Sequence, residues 1–152
     1  TLVRHERILA TRQLDARIAT VFKAFSLNYQ REQAFTALHT QAGALPDVPA
    51  NVTLIKGWVQ DSLPGYLKET GKAPFSFVHM DMDTYTPTAY AMGAIKSRLR
   101  KGTVILFDEL YGYPGWRHHE YKALQETLHD DDYRYICFST ESVAIEMLRK
   151  PK

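Results

Sequence analysis

The sequence predicts an α/β protein in which helices cover a mainly parallel β-sheet. Three observations lead to this prediction. Along residues 52–128, short apolar segments alternate with amphipathic ones, so that a strand is followed by a helix three times over. The strand-like segments are rich in β-branched and aromatic residues. A helix of roughly 15 residues is ~22 Å long, which is enough to return the chain along a strand of ~20 Å.

The first 50 residues give a different pattern. Apolar residues spaced three and four apart, from Leu14 to Phe25, predict an amphipathic helix over about residues 6–25. Residues 26–50 show no clean period, and two prolines in 43–51 indicate a loop. We therefore expect a helical and irregular segment over 1–45 and a second region over 46–152.

The first strand and helix after this loop are short. Residues 52–55 are apolar apart from one threonine and predict a strand. Residues 61–69 predict a helix. Either Asp61 or Ser62 has a side chain suited to cap its first turn.

Two further strands enclose a long helix. The apolar segment 75–80 predicts a strand, and 84–100 predicts a helix with Pro87 in its first turn, where a missing N–H costs nothing. Gly102 ends this helix. The next strand, 103–107, is apolar nearly throughout, which predicts burial on both faces.

The C-terminal segments predict one more helix and a hairpin. Residues 117–128 have helical spacing, and two strand-like segments follow over 133–139 and 143–148. The tight polar turn between these two segments favours an antiparallel pair.

Composition excludes several classes of protein. The chain has 152 residues, 45% of them hydrophobic and 24% charged, as in an ordinary folded domain. A formal charge of +2 argues against a nucleic-acid partner, which needs a clustered basic surface. No apolar run approaches the ~18 residues that span a bilayer, so we expect no membrane partner. The single cysteine, Cys137, excludes an internal disulfide and fits a reducing, cytoplasmic location.

Carboxylates follow two neighbouring strands of the predicted sheet. Asp81 and Asp83 come after the strand 75–80, while Asp108 and Glu109 come after 103–107. If these strands lie side by side at ~4.8 Å, their carboxylates converge at one edge and call for a hard cation such as Mg²⁺, Mn²⁺ or Ca²⁺. The alternative is structural, because Asp83 or Thr84 can instead cap the following helix.

Three segments of the chain carry distinctive motifs. They are Val48–Pro64 around Lys-Gly-Trp-Val-Gln-Asp, Phe77–Thr88 around His-Met-Asp-Met-Asp, and Gly102–Trp116 with the Glu120-Tyr121 pair. Together these segments resemble the macrocin O-methyltransferase family, over about residues 43–148 and with the motifs in the family's order. Members are class I methyltransferases that depend on S-adenosylmethionine and Mg²⁺ and methylate hydroxyl groups of sugars in antibiotics.

The resemblance implies a role for each group of matching residues. It makes Asp83 the general base and identifies a small, hydroxylated, sugar-like molecule as the acceptor. It further implies a partial Rossmann-like sheet that ends in an antiparallel hairpin. The implied metal ligands are Asp81, Asp108 and Glu109, where the family often has Asp-Asp, and the residues implied at the adenine end of S-adenosylmethionine are Gly57, Trp58, Gln60 and Asp61.

One part of the family's pattern has no counterpart in the chain. Complete members begin with a strand and a glycine-rich turn that holds the methionine part of the cofactor, but the first glycine here is Gly43. We therefore expect the N-terminal strands of the sheet to be missing, through a fragment, a truncated gene or a degenerate relative. Cofactor binding by such a chain would be weak or absent.

Two alternatives from other classes remain open at this point. A glycosyltransferase would use the Asp81-Met82-Asp83 motif to hold a metal and the diphosphate of a nucleotide sugar. A non-catalytic remnant would instead pair its exposed sheet edge with another chain, and a homo-oligomer is one form of such pairing.

Overall fold

A mixed β-sheet with three helices is built by residues 51–152, the part of the chain that the computed structural model describes. Residues 55–152 form one compact unit. The helix predicted over 6–25 and the segment predicted over 1–45 lie outside the described residues. The elements are α1 (Val59–Glu69), β1 (Phe77–Met80), α2 (Tyr85–Ile95), β2 (Val104–Phe107), α3 (Glu120–Thr127), β3 (Tyr133–Phe138) and β4 (Val143–Met147).

The sheet confirms the predicted α/β class. Its strand order is β1-β2-β4-β3. Strands β1 and β2 are parallel neighbours with Met80 opposite Phe107, and β3 and β4 form the predicted antiparallel hairpin. We call the edge where β1, β2 and β3 end the carboxyl edge, and the opposite edge, where β3 begins and β4 ends, the amino edge.

The central strand β2 and the helices share one hydrophobic core. All four residues of β2 are buried, as its composition predicts. Phe107, Met92 of α2 and Leu124 of α3 are fully buried within the same cluster. Burial of such a side chain is worth about 1.5–3 kcal/mol, so this cluster fixes the helices against the sheet. None of the helices within 51–152 has the length and apolar character needed to cross a bilayer.

Helix α2 follows the prediction for 84–100 at both ends. It begins after Thr84, and a 3₁₀ turn over Lys96–Arg98 extends it towards Gly102. Gly102 has φ +85°, a left-handed conformation that a glycine adopts without steric cost. The chain therefore turns there into β2.

Helix α1 begins two residues earlier than predicted. Its N-cap position is Trp58, and neither Asp61 nor Ser62 caps it, so that prediction is wrong. The Ser62 hydroxyl instead donates a hydrogen bond of 2.9 Å to the Trp58 carbonyl, one turn back. Asp61 lies in the first turn, where a carboxylate is favoured by the helix dipole.

The strand predicted over 52–55 is absent, so that prediction is wrong. These residues adopt no regular structure, and from Thr53 to Ile55 they are exposed. A strand exists only by pairing with a neighbour, and 52–55 pair with none of the four described strands. Local composition alone therefore does not produce a strand here.

Candidate active site at the carboxyl edge of the sheet

The first two carboxylates of the site are positioned by the register of β1 and β2. Met80 and Phe107 lie opposite each other in the parallel pair. Asp81 directly follows Met80, and Asp108 directly follows Phe107. The Asp108 N–H donates to the Met80 carbonyl at 2.9 Å, which continues the ladder beyond the strands. The sequence prediction that these two loops are neighbours is thus confirmed.

Asp83 stands out by its backbone. It has φ +55°, and among the residues that the structure describes it is the only non-glycine with a positive φ. The Thr84 N–H donates to the Met82 carbonyl at 2.5 Å, closing a tight turn around Asp83. Strained conformations of this kind concentrate at functional sites, where surrounding contacts hold them. Thr84 occupies the N-cap position of α2 but its side chain caps nothing, so helix capping does not explain this loop.

The predicted carboxylates interact electrostatically. Burial raises the pKa of Glu109, and the negative charges of four neighbours raise it further. A carboxylate whose pKa rises through like charges is close to those charges. The four neighbours are Asp83, Glu141, Asp108 and Asp81, in order of decreasing effect.

We define the acidic cluster as Asp81, Asp83, Asp108, Glu109, Glu120 and Glu141. Asp81 and Asp83 are exposed, and Asp108 and Glu109 are half-buried. Asp108 has two further polar neighbours, since Ser142 Oγ donates to its Oδ1 at 3.4 Å and His79 Nε2 lies 3.9 Å from the same oxygen. The carboxyl edge therefore carries a surplus of negative charge.

Glu120 is the buried member of this cluster, and the sequence analysis gave it no role. It is the first residue of α3 and has no exposed surface. Burial raises its pKa to about 7, although two backbone N–H groups, of Met82 and Glu109, oppose that rise. A periodicity signal was available, because Glu120 precedes the buried Ala123 and Leu124 by three and four residues, which puts it on the buried face of the helix.

The loop after β2 is packed against the β3–β4 turn. Backbone N–H groups of Leu110 and Tyr111 donate to the Glu141 carbonyl, at 2.9 and 3.3 Å. Gly112 has φ +92°, and a Cβ there would lie 2.9 Å from the Thr140 carbonyl oxygen. The start of this loop is therefore a packed turn.

Tyr113, further along this loop, is a second residue that sequence reasoning missed. Its hydroxyl is buried and has no hydrogen-bond partner within the described part of the chain. Burial raises the pKa of Tyr113, and the charges of Glu109 and Glu120 add to the effect. Its phenol therefore lies beside the acidic cluster.

The residues predicted at the adenine end lie at the start of α1. Trp58 is 80% exposed, so it is not a core residue, and Gly57 has φ +143°. Pro64 lacks the N–H that would reach the Gln60 carbonyl, and the Tyr90 hydroxyl donates to that carbonyl instead, at 3.2 Å. Asp61 is exposed on the same turn. The structure thus presents an accessible indole and an exposed carboxylate at the start of α1.

The predicted metal ligands have the right chemistry but not a formed site. Asp81, Asp108 and Glu109 offer only carboxylate oxygens, which suit a hard cation. Within residues 51–152, however, no group of three His, Cys, Asp or Glu side chains is placed to hold an ion. The metal assignment therefore stays a prediction.

Comparisons with known proteins find similarity to methyltransferases. The chain is similar to two solved structures of one protein: the apo structure of CalS11, described as a TDP-rhamnose 3'-O-methyltransferase of calicheamicin biosynthesis, and a crystal structure of CalS11, calicheamicin methyltransferase. Identity is 28% and the TM-score 0.53 for both, over 60% of this chain. The match spans only 40% and 36% of the respective CalS11 chains. No curated protein matches the chain.

A family model described as a methyltransferase domain matches residues 6–110. This match begins well before residue 43, where the resemblance read from the motifs starts, so residues 6–42 carry family sequence as well. It ends just after the second pair of carboxylates, Asp108 and Glu109. Since the match covers more than half of the 152 residues, the chain belongs to the methyltransferase domain family.

Proposed function

We propose that the chain is an S-adenosylmethionine-dependent O-methyltransferase domain that acts on a hydroxyl group of a sugar-like small molecule. The observation that carries this proposal is the convergence of carboxylates from two parallel strands at one edge, with Asp83 held in a left-handed turn. In open α/β sheets, ligands bind at this edge. The similarity to a sugar O-methyltransferase supports the choice of acceptor.

Asp83 is the general base in this proposal. A sugar hydroxyl is a poor nucleophile at neutral pH, and a carboxylate within hydrogen-bond reach can accept its proton. Asp83 would take the hydroxyl proton as the acceptor oxygen attacks a methyl group, and S-adenosylmethionine would supply that methyl together with a neutral thioether as the leaving group. The exposed side chain of Asp83 leaves room for an acceptor.

S-adenosylmethionine supplies an activated methyl group on a positively charged sulphur when it is bound. Residues 57–61 would hold its adenine end, with the exposed Trp58 indole stacking on the base and Asp61 accepting a hydrogen bond. The surplus of negative charge at the carboxyl edge favours a cation there. Both features fit this cofactor.

Magnesium belongs to the same proposal, with Asp81, Asp108 and Glu109 as its ligands. The roles derived above for Asp83 and Trp58 do not require the ion. Calorimetric titration of Mg²⁺ into the wild-type chain, Asp81→Ala and Asp108→Ala tests the ligand set. Binding that is equally tight in all three proteins would contradict it, while weaker binding in both variants would support it.

The reaction itself is tested by methyl transfer. The chain is incubated with methyl-labelled S-adenosylmethionine and a panel of acceptors, including TDP-rhamnose and free sugars, with Mg²⁺ or with EDTA. We expect the label in a product that carries one methyl group in place of one hydroxyl hydrogen of its acceptor. A chain that binds the cofactor but labels none of these acceptors would contradict the proposed substrate class.

The same assay separates the glycosyltransferase alternative. A nucleotide sugar offered as donor, without S-adenosylmethionine, should give no product. Sugar transfer under those conditions would contradict the proposal, although the family match already favours methyl transfer.

The role of Trp58 can be measured separately. Its side chain is exposed, so Trp58→Ala leaves the fold intact. Stacking of a base on an aromatic ring is worth about 1–3 kcal/mol, so the affinity for S-adenosylmethionine should fall between roughly fivefold and a hundredfold. Tyr135→Ala removes another exposed aromatic ring, on β3, and serves as the matched control. Equal affinity of Trp58→Ala and this control would exclude the stacking role.

A further inference from the structure

The buried carboxylate of Glu120 contacts both acidic loops of the carboxyl edge. We define the first acidic loop as residues 81–84 and the second as residues 108–110. The Met82 N–H donates to Glu120 Oε1 and the Glu109 N–H donates to Glu120 Oε2, each at 3.3 Å. One side chain of α3 thus connects the loops that follow β1 and β2.

The bond to Met82 bears on the conformation of Asp83. On its amino side, the Met82 N–H is held by Glu120; on its carboxyl side, the Met82 carbonyl accepts the Thr84 N–H at 2.5 Å and the Thr84 hydroxyl at 3.3 Å. Asp83 lies between these fixed points with φ +55°. Hydrogen bonds to both the N–H and the carbonyl of Met82 therefore hold the left-handed turn at Asp83, the proposed base.

The bond to Glu109 completes a set of contacts on the second acidic loop. The Asp108 N–H is bound by the Met80 carbonyl and the Leu110 N–H by the Glu141 carbonyl, both at 2.9 Å. The Glu109 N–H, between them, points to Glu120. Three successive backbone donors of this loop thus have three different acceptors, and only the middle one is a side chain.

A carboxylate at this position is costly unless it serves these donors. Glu120 has no exposed surface, and within the part of the chain that the structure describes no lysine or arginine pairs with it. Removing a carboxylate from water without a cation costs several kcal/mol, whereas an aliphatic residue would pack beside Ala123 and Leu124 without that cost. Two features offset this cost. A carboxylate is favoured at the N-terminus of a helix, where Glu120 lies, and two backbone N–H groups donate to it.

We propose that Glu120 is a positioning residue, which holds the two acidic loops together and so fixes Asp83 relative to Asp108 and Glu109. The structural part concerns hydrogen bonds within the chain alone. Its catalytic consequence rests on the proposed function, because it requires Asp83 to be the base.

Amide hydrogen exchange of Met82 and Glu109 tests the structural part without any substrate. In Glu120→Gln the side-chain amide keeps one acceptor oxygen and places an NH₂ group against the other N–H, so one of the two amides should exchange at least about tenfold faster. In Glu120→Ala both should do so. Glu126→Gln is the matched control, since it makes the same change on an exposed residue of the same helix and should alter neither amide.

The amide of Leu148 reports on folding in these samples. It donates to the Asp132 carbonyl at 2.8 Å at the amino edge, far from Glu120 in the fold, so its exchange should stay unchanged in Glu120→Gln. Wild-type exchange at both Met82 and Glu109 in a folded Glu120→Gln variant would overturn the proposal. Faster exchange at one of them, with Leu148 unchanged, would support it.

Kinetics test the catalytic consequence. In Glu120→Gln, kcat per bound S-adenosylmethionine should fall at least about tenfold, while KM for the cofactor stays within about twofold because residues 57–61 are untouched. Normalising to bound cofactor removes the effect of a smaller folded fraction, which a merely structural role would produce. An unchanged normalised kcat would overturn the positioning role. Absence of methyl transfer by the wild-type chain would overturn the proposed function instead. The exchange measurement would still test whether Glu120 holds the two acidic loops together.

Discussion

Each edge of the sheet buries a carboxylate, and the electrostatic surroundings of these two carboxylates are opposite. At the amino edge, Asp132 accepts a hydrogen bond of 2.7 Å from Arg149 Nε and one of 3.1 Å from the His129 N–H. At the carboxyl edge, Glu120 receives only backbone N–H groups and faces further carboxylates. Both side chains lack exposed surface, so burial alone does not distinguish them.

The pKa values of the two groups show the consequence. Burial acts to raise the pKa of Asp132, but the Arg149 side chain and the His129 N–H outweigh it and the pKa is lowered. Burial raises the pKa of Glu120 to about 7, and the nearby Asp108 and Asp81 add to that effect. The amino edge is thus arranged for stability. The carboxyl edge retains charge that is not neutralised, as functional sites commonly do.

The largest expected effect is on catalysis at the carboxyl edge. Asp83→Asn removes the proposed base without changing the size of the side chain, and general base catalysis contributes about 10²–10⁴-fold to rate. We therefore expect kcat for methyl transfer to fall by that factor while the melting temperature stays within about 2 °C. Asp131→Asn makes the same change at the amino edge, on an exposed side chain, and should keep wild-type kcat. Full activity of Asp83→Asn would exclude Asp83 as the base.

The second effect is a pH dependence of stability that comes from Glu120. Between its unfolded pKa of about 4.5 and its folded pKa of about 7, the folded chain retains a proton that the unfolded chain has released. Raising the pH through this window therefore favours unfolding, by up to about 3 kcal/mol. Denaturant titrations in EDTA should show this loss in the wild-type chain but not in Glu120→Gln. An identical pH dependence of both proteins would contradict the assignment.

The third effect is smaller and has the opposite sign of pH dependence. Because the pKa of Asp132 is lowered by folding, its contribution is complete above the unfolded pKa of about 4 and is lost as the pH falls through the folded value. Asp132→Asn should lower the free energy of unfolding at pH 7 by about 2 kcal/mol, since Arg149 is partly exposed and remains solvated. The difference from wild type should shrink in acid. A constant difference down to pH 2 would show that the charge of Asp132 is not involved.

The elements that sequence could predict are those whose pattern is local. Strand β2 is apolar throughout because it is buried on both faces, and the polar turn between β3 and β4 identifies the hairpin. The positions of Asp81 and Asp108 followed from one topological rule, that parallel strands end at the same edge. These expectations are confirmed by the register of β1 and β2.

The failures share a physical cause, which is dependence on distant partners. Residues 52–55 have strand-like composition but lack a neighbouring strand among those described. Ser62 is the local exception, because its hydroxyl donates to the Trp58 carbonyl four residues earlier instead of capping the helix. Glu120 is of the same residue type as the exposed Glu126. Helical spacing places Glu120 on the buried face, but the Met82 and Glu109 N–H groups that stabilise its burial come from two loops outside the helix.

The central claim is that the carboxyl edge carries catalysis and the amino edge contributes stability. Its most direct test measures both methyl transfer and thermal unfolding in Asp83→Asn and in Asp132→Asn. Asp83→Asn should lose at least about a hundredfold in kcat and keep its melting temperature. Asp132→Asn should melt about 4–8 °C lower and keep its kcat when assayed well below that temperature. Loss of both properties in both variants, or of stability in Asp83→Asn and activity in Asp132→Asn, would contradict the assignment of catalysis to the carboxyl edge.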